Sequence, residues 1–268
     1  IEPIKQDLQL TDTQIGLLLG PAFAIFYATM GLPMGYLVDR IKRIWIVSIG
    51  IFVWSMATAA SGLTQKFSQL FLARMTIGVG EATLTPCSLS MISDSFPETN
   101  RGRAIGVYTM GMGLGSGFAY LYGSVILAWV NSVENLSLPI LGEIEPWQFA
   151  FIAVGLPGVF LALLVSALKE PKRKISPTQN GQHLNIAQTI KYIWARKQAF
   201  GSFILPSSVM TIIAYSHSWL APMFERTWGM EASKYAFING ILLLAFGPIS
   251  NNGAGWMCDY LAKKGYED

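Results

Sequence analysis

The segment RMTIGVGEATLTP, residues 74–86, places an arginine and a glutamate seven positions apart in a run of mostly small and apolar residues. Seven residues are nearly two turns of an α-helix, so Arg74 and Glu81 lie on one helix face, about 10 Å apart along its axis. An arginine in a pocket recognises carboxylates and phosphates. A glutamate changes its protonation when its surroundings alternate between wet and dry. We therefore predict that both residues bind a substrate and that Glu81 also carries a proton; the alternative is a structural pair neutralised by other helices.

Long charge-free stretches surround this pair. Hydrophobic residues make up 52% of the 268 residues and charged residues only 13%, about half the share of a soluble domain. Six stretches of 22 to 30 residues lack charge, and they lie between Asp12 and Asp39, Arg43 and Lys66, Arg103 and Glu134, Glu145 and Lys169, Lys197 and Glu225, and Lys234 and Asp259. About 20 apolar residues cross a bilayer as a helix. With residues 67–93, which contain the pair, the sequence predicts an all-α polytopic membrane protein with seven visible transmembrane helices and not a soluble bundle.

The Lys and Arg residues are distributed unevenly between the two predicted membrane faces. Alternate loops hold 14 of them on one face and 4 on the other, and Arg74 lies within a span. Loops rich in Lys and Arg stay in the cytoplasm, so the basic loops set the topology and do not indicate nucleic-acid binding. We predict a multi-pass protein of the cell membrane, or of the inner membrane in a bacterium.

Three regions follow from the loop lengths. Residues 1–168 are predicted to form an N-terminal half-bundle whose first helix is missing, and residues 198–268 to begin a C-terminal half-bundle. Residues 169–197 are the longest cytoplasmic connection, and their second part has apolar residues at helical spacing, typical of an amphipathic helix on the membrane surface. The pattern G-x-x-x-D closes a span at Gly35 and Asp39 and again 220 positions later, which indicates a repeated half.

Two motifs resemble those of the major facilitator superfamily. GYLVDRIKR is similar to its loop motif G-x-L-x-D-R-x-G-R, with Lys42 at the position of the second glycine, and RMTIGVG is similar to its fourth-helix motif R-x-x-x-G-x-G. The extension GEA and the segment SMISDSFPETNRGRAIGVY resemble Spinster-like members. The resemblance implies the major facilitator fold, with the visible spans as family helices two to eight of twelve.

This resemblance implies a secondary active transporter that works by alternating access and is coupled to protons. A Spinster-like member implies a lysolipid-like or sphingolipid-like substrate, and the alternative is a proton symporter of organic anions or sugar acids. We expect a monomer whose partners are the bilayer, protons and the small-molecule or lipid substrate, with no nucleic acid, cofactor or metal.

Other functional classes are disfavoured by residues that the spans lack. No lysine lies within a span, so a retinal-binding seven-helix protein is excluded, and a seven-helix receptor is the remaining rival class. Neither H-E-x-x-H nor G-x-S-x-G occurs, and the chain has only two histidines, so we predict that it is not an enzyme and has no catalytic residues. Flux that saturates and follows a gradient would distinguish a carrier from a receptor or a pore.

Two further groups of candidate residues follow from polarity and charge at the predicted spans. Tyr215 and His217 lie in the polar patch YSHSW within a charge-free stretch and are predicted to contact substrate; the alternative for the histidine is packing. A gating group at the predicted cytoplasmic face combines opposite charges that separate when the cavity opens inward, and its members are Asp39, Arg40, Arg43, Asp94, Arg101 and Arg103. The alternative is that these charges only set the topology.

Overall fold

The computed structural model describes residues 2–131, 137–138, 142–173 and 186–263. The described helices are α1 (Glu2–Asp7), α2 (Asp12–Leu19), α3 (Pro21–Val38), α4 (Arg43–Ser61), α5 (Phe67–Glu81), α6 (Leu84–Ser95), α7 (Glu98–Asn131), α8 (Pro146–Ser166), α9 (Ile186–Ala195), α10 (Lys197–Ser216), α11 (Leu220–Trp228) and α12 (Ala232–Lys263). A 3₁₀ turn, His217–Trp219, joins α10 to α11. Ser137–Leu138 and Gly142–Glu143 form a short antiparallel strand pair, β1 and β2, with Ser137 opposite Glu143.

Six helical segments in the described part of the chain are long and apolar enough to cross a membrane. They are Asp12–Gly31, Arg43–Ser61, Arg101–Trp129, Pro146–Ser166, Lys197–Trp228 and Ala232–Ser250. Each overlaps one of the six charge-free stretches, because a helix of about 20 apolar residues matches the hydrocarbon thickness. The predicted class, an all-α polytopic membrane protein, is confirmed.

The seventh predicted span, residues 67–93, is two helices and not one. α5 ends at Glu81 and α6 begins at Leu84, so neither is long enough to cross a bilayer alone. Pro86 has no backbone N–H and cannot donate to the carbonyl of Ala82, so the helical ladder is interrupted here. At the interruption the hydroxyl and the amide of Thr83 both donate to the carbonyl of Gly80, at 2.8 Å and 3.3 Å. Glu81 therefore lies at the interruption.

Helix α4 is central to the first half, where it packs against α5 and α8 while α3 packs against α5 and α6. The hydroxyl of Ser48 on α4 donates to the carbonyl of Ala162 on α8 at 2.7 Å. A Cβ atom at Gly155 would lie 2.7 Å from the carbonyl oxygen of Ser55, so these two backbones approach closely. Small residues and hydroxyl hydrogen bonds join helices in lipid, where apolar side chains gain little from each other.

Helices α7 and α12 pack against each other and connect the two predicted halves. A Cβ atom at Gly117 would lie 3.2 Å from the carbonyl oxygen of Gly240, and one at Gly240 would lie 3.1 Å from that of Gly117. The backbones are thus in contact at this crossing. Of the predicted linker, residues 174–185 lie outside the described residues, and α9 occupies the second part, where the amphipathic helix is predicted.

Candidate functional site

The first candidate pair, Arg74 and Glu81, lies on α5 with both side chains partly buried. The charge of Arg74 acts electrostatically on Glu81, as expected for two groups on one helix face. The guanidinium carbon of Arg74 lies 6.0 Å from the ring centroid of Phe151 on α8. A cation at this distance from an aromatic face is attracted to it, so α8 contributes to the position of Arg74.

The Phe151 ring belongs to a small aromatic group. Its edge meets the ring of Trp147 at 87° with the centroids 6.0 Å apart. Trp147 is buried, and its indole N–H donates to Oδ2 of Asp7 on α1 at 3.0 Å. A chain of contacts therefore runs from Arg74 through two aromatic rings to the helix at the start of the described chain. An apolar wall beside a guanidinium is suited to an anion that also carries an apolar part.

Two glycines fix the other sides of α5. A Cβ atom at Gly78 would lie 2.6 Å from the carbonyl oxygen of Phe23 on α3, and one at Gly80 would lie 3.0 Å from the carbonyl oxygen of Gly50 on α4. Only glycine permits backbones at this separation. α3 and α4 thus pack directly on the turn that ends in Glu81. This packing restricts where the carboxyl group of Glu81 can lie.

The second pair of candidates, Tyr215 and His217, lies at the junction of α10 and the 3₁₀ turn that follows it. Nδ1 of His217 lies 3.1 Å from the carbonyl oxygen of Ile213 in the last turn of α10, and the side chain of His217 is exposed. Tyr215 lies in α10, and its side chain lies outside the described residues. The substrate contacts of both residues stay predictions.

At the predicted cytoplasmic end, Arg43 contacts one other predicted gating residue, Asp94, and three residues that the sequence analysis missed. Its side chain is 1% exposed and donates to Oδ2 of Asp94 at 2.5 Å and to Oε1 of Glu170 at 3.0 Å. It also donates to the hydroxyl of Ser90 at 2.8 Å and to the carbonyl of Pro171 at 3.1 Å. One buried guanidinium therefore holds together the ends of α4 and α6 and the segment after α8.

Arg173, which also was not predicted, lies beside this cluster. Its guanidinium donates to the carbonyl of Val38 at 2.8 Å, to that of Ile41 at 2.5 Å, and to that of Asp39. Helix ends leave carbonyl groups without partners, and Arg173 satisfies those at the end of α3. The short loop between α3 and α4 is thereby attached to the start of the linker.

The remaining predicted gating residues are dispersed. Asp39 is exposed and contributes its backbone carbonyl; its carboxylate takes part in no ion pair among the described residues. Arg40 lies over the ring of Tyr36 at 3.9 Å. Arg101 donates to the carbonyl of Ser93 at 3.5 Å, and Arg103 is exposed at a cavity of about 540 Å³ between α6 and α7. The structure thus joins Arg43 to Asp94 and separates Asp39 from them.

A second charged cluster lies at the opposite end and was not predicted. Arg226 on α11 donates to Oε1 of Glu2 at 2.5 Å and to Oδ1 of Asp12 at 3.0 Å, and Lys5 donates to the same oxygen of Asp12 at 2.7 Å. Arg226 belongs to the second predicted half and the other three residues belong to the first. This outer cluster (Glu2, Lys5, Asp12 and Arg226) therefore connects the halves.

Trp219 adds an apolar contact beside the outer cluster. Its ring packs against a buried group that includes Leu10, Ile15 and Leu70. A Cβ atom at Gly16 would lie 3.6 Å from Cζ2 of Trp219, so the ring lies directly against α2. The polar patch YSHSW thus places an aromatic ring of the second half on the first half, a contact that its position alone did not predict.

The comparisons with known proteins identify the family. The protein-family model described as Major Facilitator Superfamily matches residues 1–266 of the chain. The chain is 27% identical over 277 residues to the probable L-galactonate transporter of Escherichia coli (strain K12), covering 98% of this chain and 57% of that protein. It is 26% identical over 273 residues to protein spinster of Drosophila melanogaster, covering 97% of this chain and 42% of that protein.

A solved structure gives the same result for the fold. A bacterial homologue of the human lysosomal transporter Spinster, crystallised in an inward-facing and unoccupied conformation, superposes with a TM-score of 0.78 and is 31% identical. The match covers 98% of this chain and 58% of that chain, so the chain spans about half the length of these relatives, from 42% to 58%. The resemblance to Spinster-like proteins is confirmed.

Proposed function

Because the chain belongs to the major facilitator superfamily, we propose that it is part of a secondary active transporter that moves an anionic, amphipathic small molecule by alternating access. The observation that carries this proposal is the pair of Arg74 and Glu81, partly buried on one face of a predicted membrane-spanning segment. A charge within the hydrocarbon region costs about 2.5 to 3.5 kcal/mol on insertion scales and is retained for a function or a partner.

Arg74 is the proposed site for the anionic group of the substrate. A guanidinium binds carboxylates and phosphates through paired hydrogen bonds, and the Phe151 ring beside it offers an apolar surface. A lysolipid or a sphingolipid phosphate has both parts, and this is the substrate class that the resemblance of the sequence motifs to Spinster-like members implies.

The second candidate substrate is a sugar acid. The likeness to a probable L-galactonate transporter supports it, and the carboxylate of a sugar acid would occupy the same position at Arg74. The two candidates differ in the remainder of the molecule, because a lysolipid buries an acyl chain whereas a sugar acid needs hydrogen bonds to hydroxyl groups.

Glu81 is the proposed proton carrier. It lies at the interruption between α5 and α6, and in transporters interrupted helices often contribute the coupling-ion site. The turn that carries Glu81 packs on α3 and α4 at Gly78 and Gly80, so the position of Glu81 depends on the packing of the first half. A rearrangement of those helices would change the solvation of the carboxyl group and thereby its protonation.

The outer cluster is the proposed gate at the outside, and a cytoplasmic gate formed by the predicted gating residues stays a prediction. The outer cluster and Trp219 hold the halves together at the end predicted to face outside. Arg43, Asp94 and Glu170 lie within the first half and the start of the linker. An arrangement closed outside is the one that alternating access requires when the cavity is open to the cytoplasm, and the inward-facing conformation of the related structure supports this view.

Transport by the full-length protein in proteoliposomes tests the proposal, with lysophosphatidic acid and galactonate as probes. Glu81→Gln should abolish accumulation driven by a pH gradient and leave exchange across the membrane partly intact. Arg74→Ala should remove saturable uptake of both probes. The matched controls are Glu231→Gln and Lys66→Gln, which change exposed charges outside the pair.

Normal uphill transport by Glu81→Gln at several pH values would assign the carboxyl group a structural role. Saturable uptake by Arg74→Ala with an unchanged KM would exclude Arg74 from the substrate site. Failure of the unmodified protein to accumulate either probe, with binding of one of them intact, would favour a receptor over a carrier.

A further inference from the structure

The segment between Glu170 and Glu225 is basic without any balancing acid. Its 54 residues contain six Lys and Arg residues and no Asp or Glu. Arg173 is occupied by backbone carbonyl groups, and Lys174 lies outside the described residues. Four cations remain and all are exposed: Lys172 near the start of the segment, and Lys191, Arg196 and Lys197 around the end of α9. None of them takes part in an ion pair among the described residues, so their counter-charge must come from outside this segment.

Exposed aromatic and apolar side chains lie among the three cations around the end of α9. Trp194 is 74% exposed and Tyr192 is 52% exposed, and Ile193 between them is also exposed. The guanidinium carbon of Arg196 lies 4.0 Å from the ring centroid of Tyr192. Large apolar side chains interleaved with Lys and Arg are typical of helices that lie in the membrane interface, where tryptophan and tyrosine are enriched.

The position of this surface along the chain favours the bilayer as its partner. The amide of Arg196 donates to the carbonyl of Ile193 at 3.1 Å, and the amide of Phe200 donates to the carbonyl of Arg196 at 3.1 Å. α9 therefore continues almost directly into α10, which begins at Lys197 and is a candidate membrane span. The three cations lie where the chain enters the membrane from its predicted cytoplasmic side.

We infer that Lys191, Tyr192, Trp194, Arg196 and Lys197, here called the α9 surface, bind the headgroups of anionic phospholipids in the cytoplasmic leaflet. The cations match the negative surface of that leaflet, and the rings fill the boundary between headgroups and acyl chains. A soluble acidic protein would neutralise the cations but would leave Trp194 at the membrane surface without a partner. This lipid site is separate from the proposed substrate site and does not depend on Glu81.

The depth of α9 in the bilayer tests the inference. The full-length protein, with Cys87→Ser and Cys258→Ser, carries a nitroxide at Ala195→Cys and is reconstituted in phosphatidylcholine containing increasing fractions of phosphatidylglycerol. Collisions of the label with oxygen and with a neutral nickel chelate report its depth. As phosphatidylglycerol increases, the label should move from water toward the headgroup boundary, and added salt should reverse the movement.

The contribution of each cation is measured from the fraction of phosphatidylglycerol at half-maximal movement. Each substitution among Lys191→Gln, Arg196→Gln and Lys197→Gln should weaken the apparent lipid affinity about fivefold, as expected for one cation at an anionic surface. Lys172→Gln is the matched control, because it removes an exposed cation from the same linker outside α9, and it should leave the midpoint unchanged.

Three results would overturn the inference. A label depth that is the same with and without phosphatidylglycerol would show that charge does not bind α9 to the membrane. A triple Gln variant with the midpoint of the parent protein would exclude the three cations. A label protected from both collision reagents in every bilayer would show that protein, and not lipid, covers the α9 surface.

Discussion

Arg43→Ala should lower the free energy of unfolding by about 3 to 5 kcal/mol, the usual effect of removing one partner from a buried ion pair. The side chain of Arg43 is 1% exposed, and those of Asp94 and Glu170 are 13% and 17% exposed. The substitution would leave two carboxylates close together with little water to solvate them. It would also remove the donors to Ser90 and to the carbonyl of Pro171.

The loss of stability in Arg43→Ala comes from the two carboxylates that stay charged. A variant in which these carboxylates are also neutral should therefore lose less stability. A triple variant with Arg43→Met, Asp94→Asn and Glu170→Gln removes the guanidinium and both carboxylates together. Buried ion pairs replaced by neutral groups of similar size often cost little. The triple variant should therefore be more stable than Arg43→Ala, although it carries more substitutions, because groups in one network are not additive.

Unfolding of the full-length protein by sodium dodecyl sulfate in mixed micelles, followed by far-ultraviolet circular dichroism, measures both values. The matched control is Arg40→Ala, which removes an exposed arginine from the loop before α4 and its contact with the Tyr36 ring. It should cost about 1 kcal/mol or less. If the triple variant lost as much stability as the three single variants together, the cluster would not act as one electrostatic unit.

Three other predictions concern the gates, the packing and the topology. Arg226→Gln should shift the population toward the outward-open form by about fivefold, since exposed ion pairs contribute on the order of 1 kcal/mol. Asp39→Asn should shift the population toward the inward-open form. Spin-label distances between the halves measure both shifts, and an unchanged distance distribution would remove the substituted residue from its gate. Gly78→Ala should destabilise the protein by about 1 to 3 kcal/mol through overpacking, whereas Gly115 has open space beside it, so Gly115→Ala should leave the stability unchanged. Equal unfolding midpoints for the two variants would contradict the close packing of α3 on α5. Lys172→Cys should resist impermeant thiol reagents in intact cells, and rapid labelling from outside would reverse the predicted orientation.

The membrane-spanning elements were predictable because their cause is local. Length and the absence of charge decide whether a helix can cross a bilayer, and both are properties of a continuous stretch such as Arg43–Ser61. The break after Glu81 was not predicted, although Pro86 lies five residues beyond it in the sequence. A proline shows that the helical ladder is weakened, but the packing around Gly78 and Gly80 decides where the two segments separate.

The contacts between distant residues were predictable only in part. Arg43 and Asp94 were both selected from their charge at one membrane face, but Glu170 lies 127 positions from Arg43 and was missed. The sequence did mark Glu170 as a candidate partner for a basic residue, because it is the only acidic residue between Glu145 and Glu225. No comparable signal pairs Arg226 with Glu2, 224 positions away, since that contact depends on how the two halves meet.

The attachment of Arg173 to the loop between α3 and α4 changes where the first half can be cut. A fragment ending at Leu168 would lose both Glu170, which neutralises Arg43, and the guanidinium that satisfies the end of α3. A fragment ending at Arg173 would keep both. Split versions of the protein, expressed as two separate chains, should therefore assemble when the cut follows Arg173 and fail when it follows Leu168.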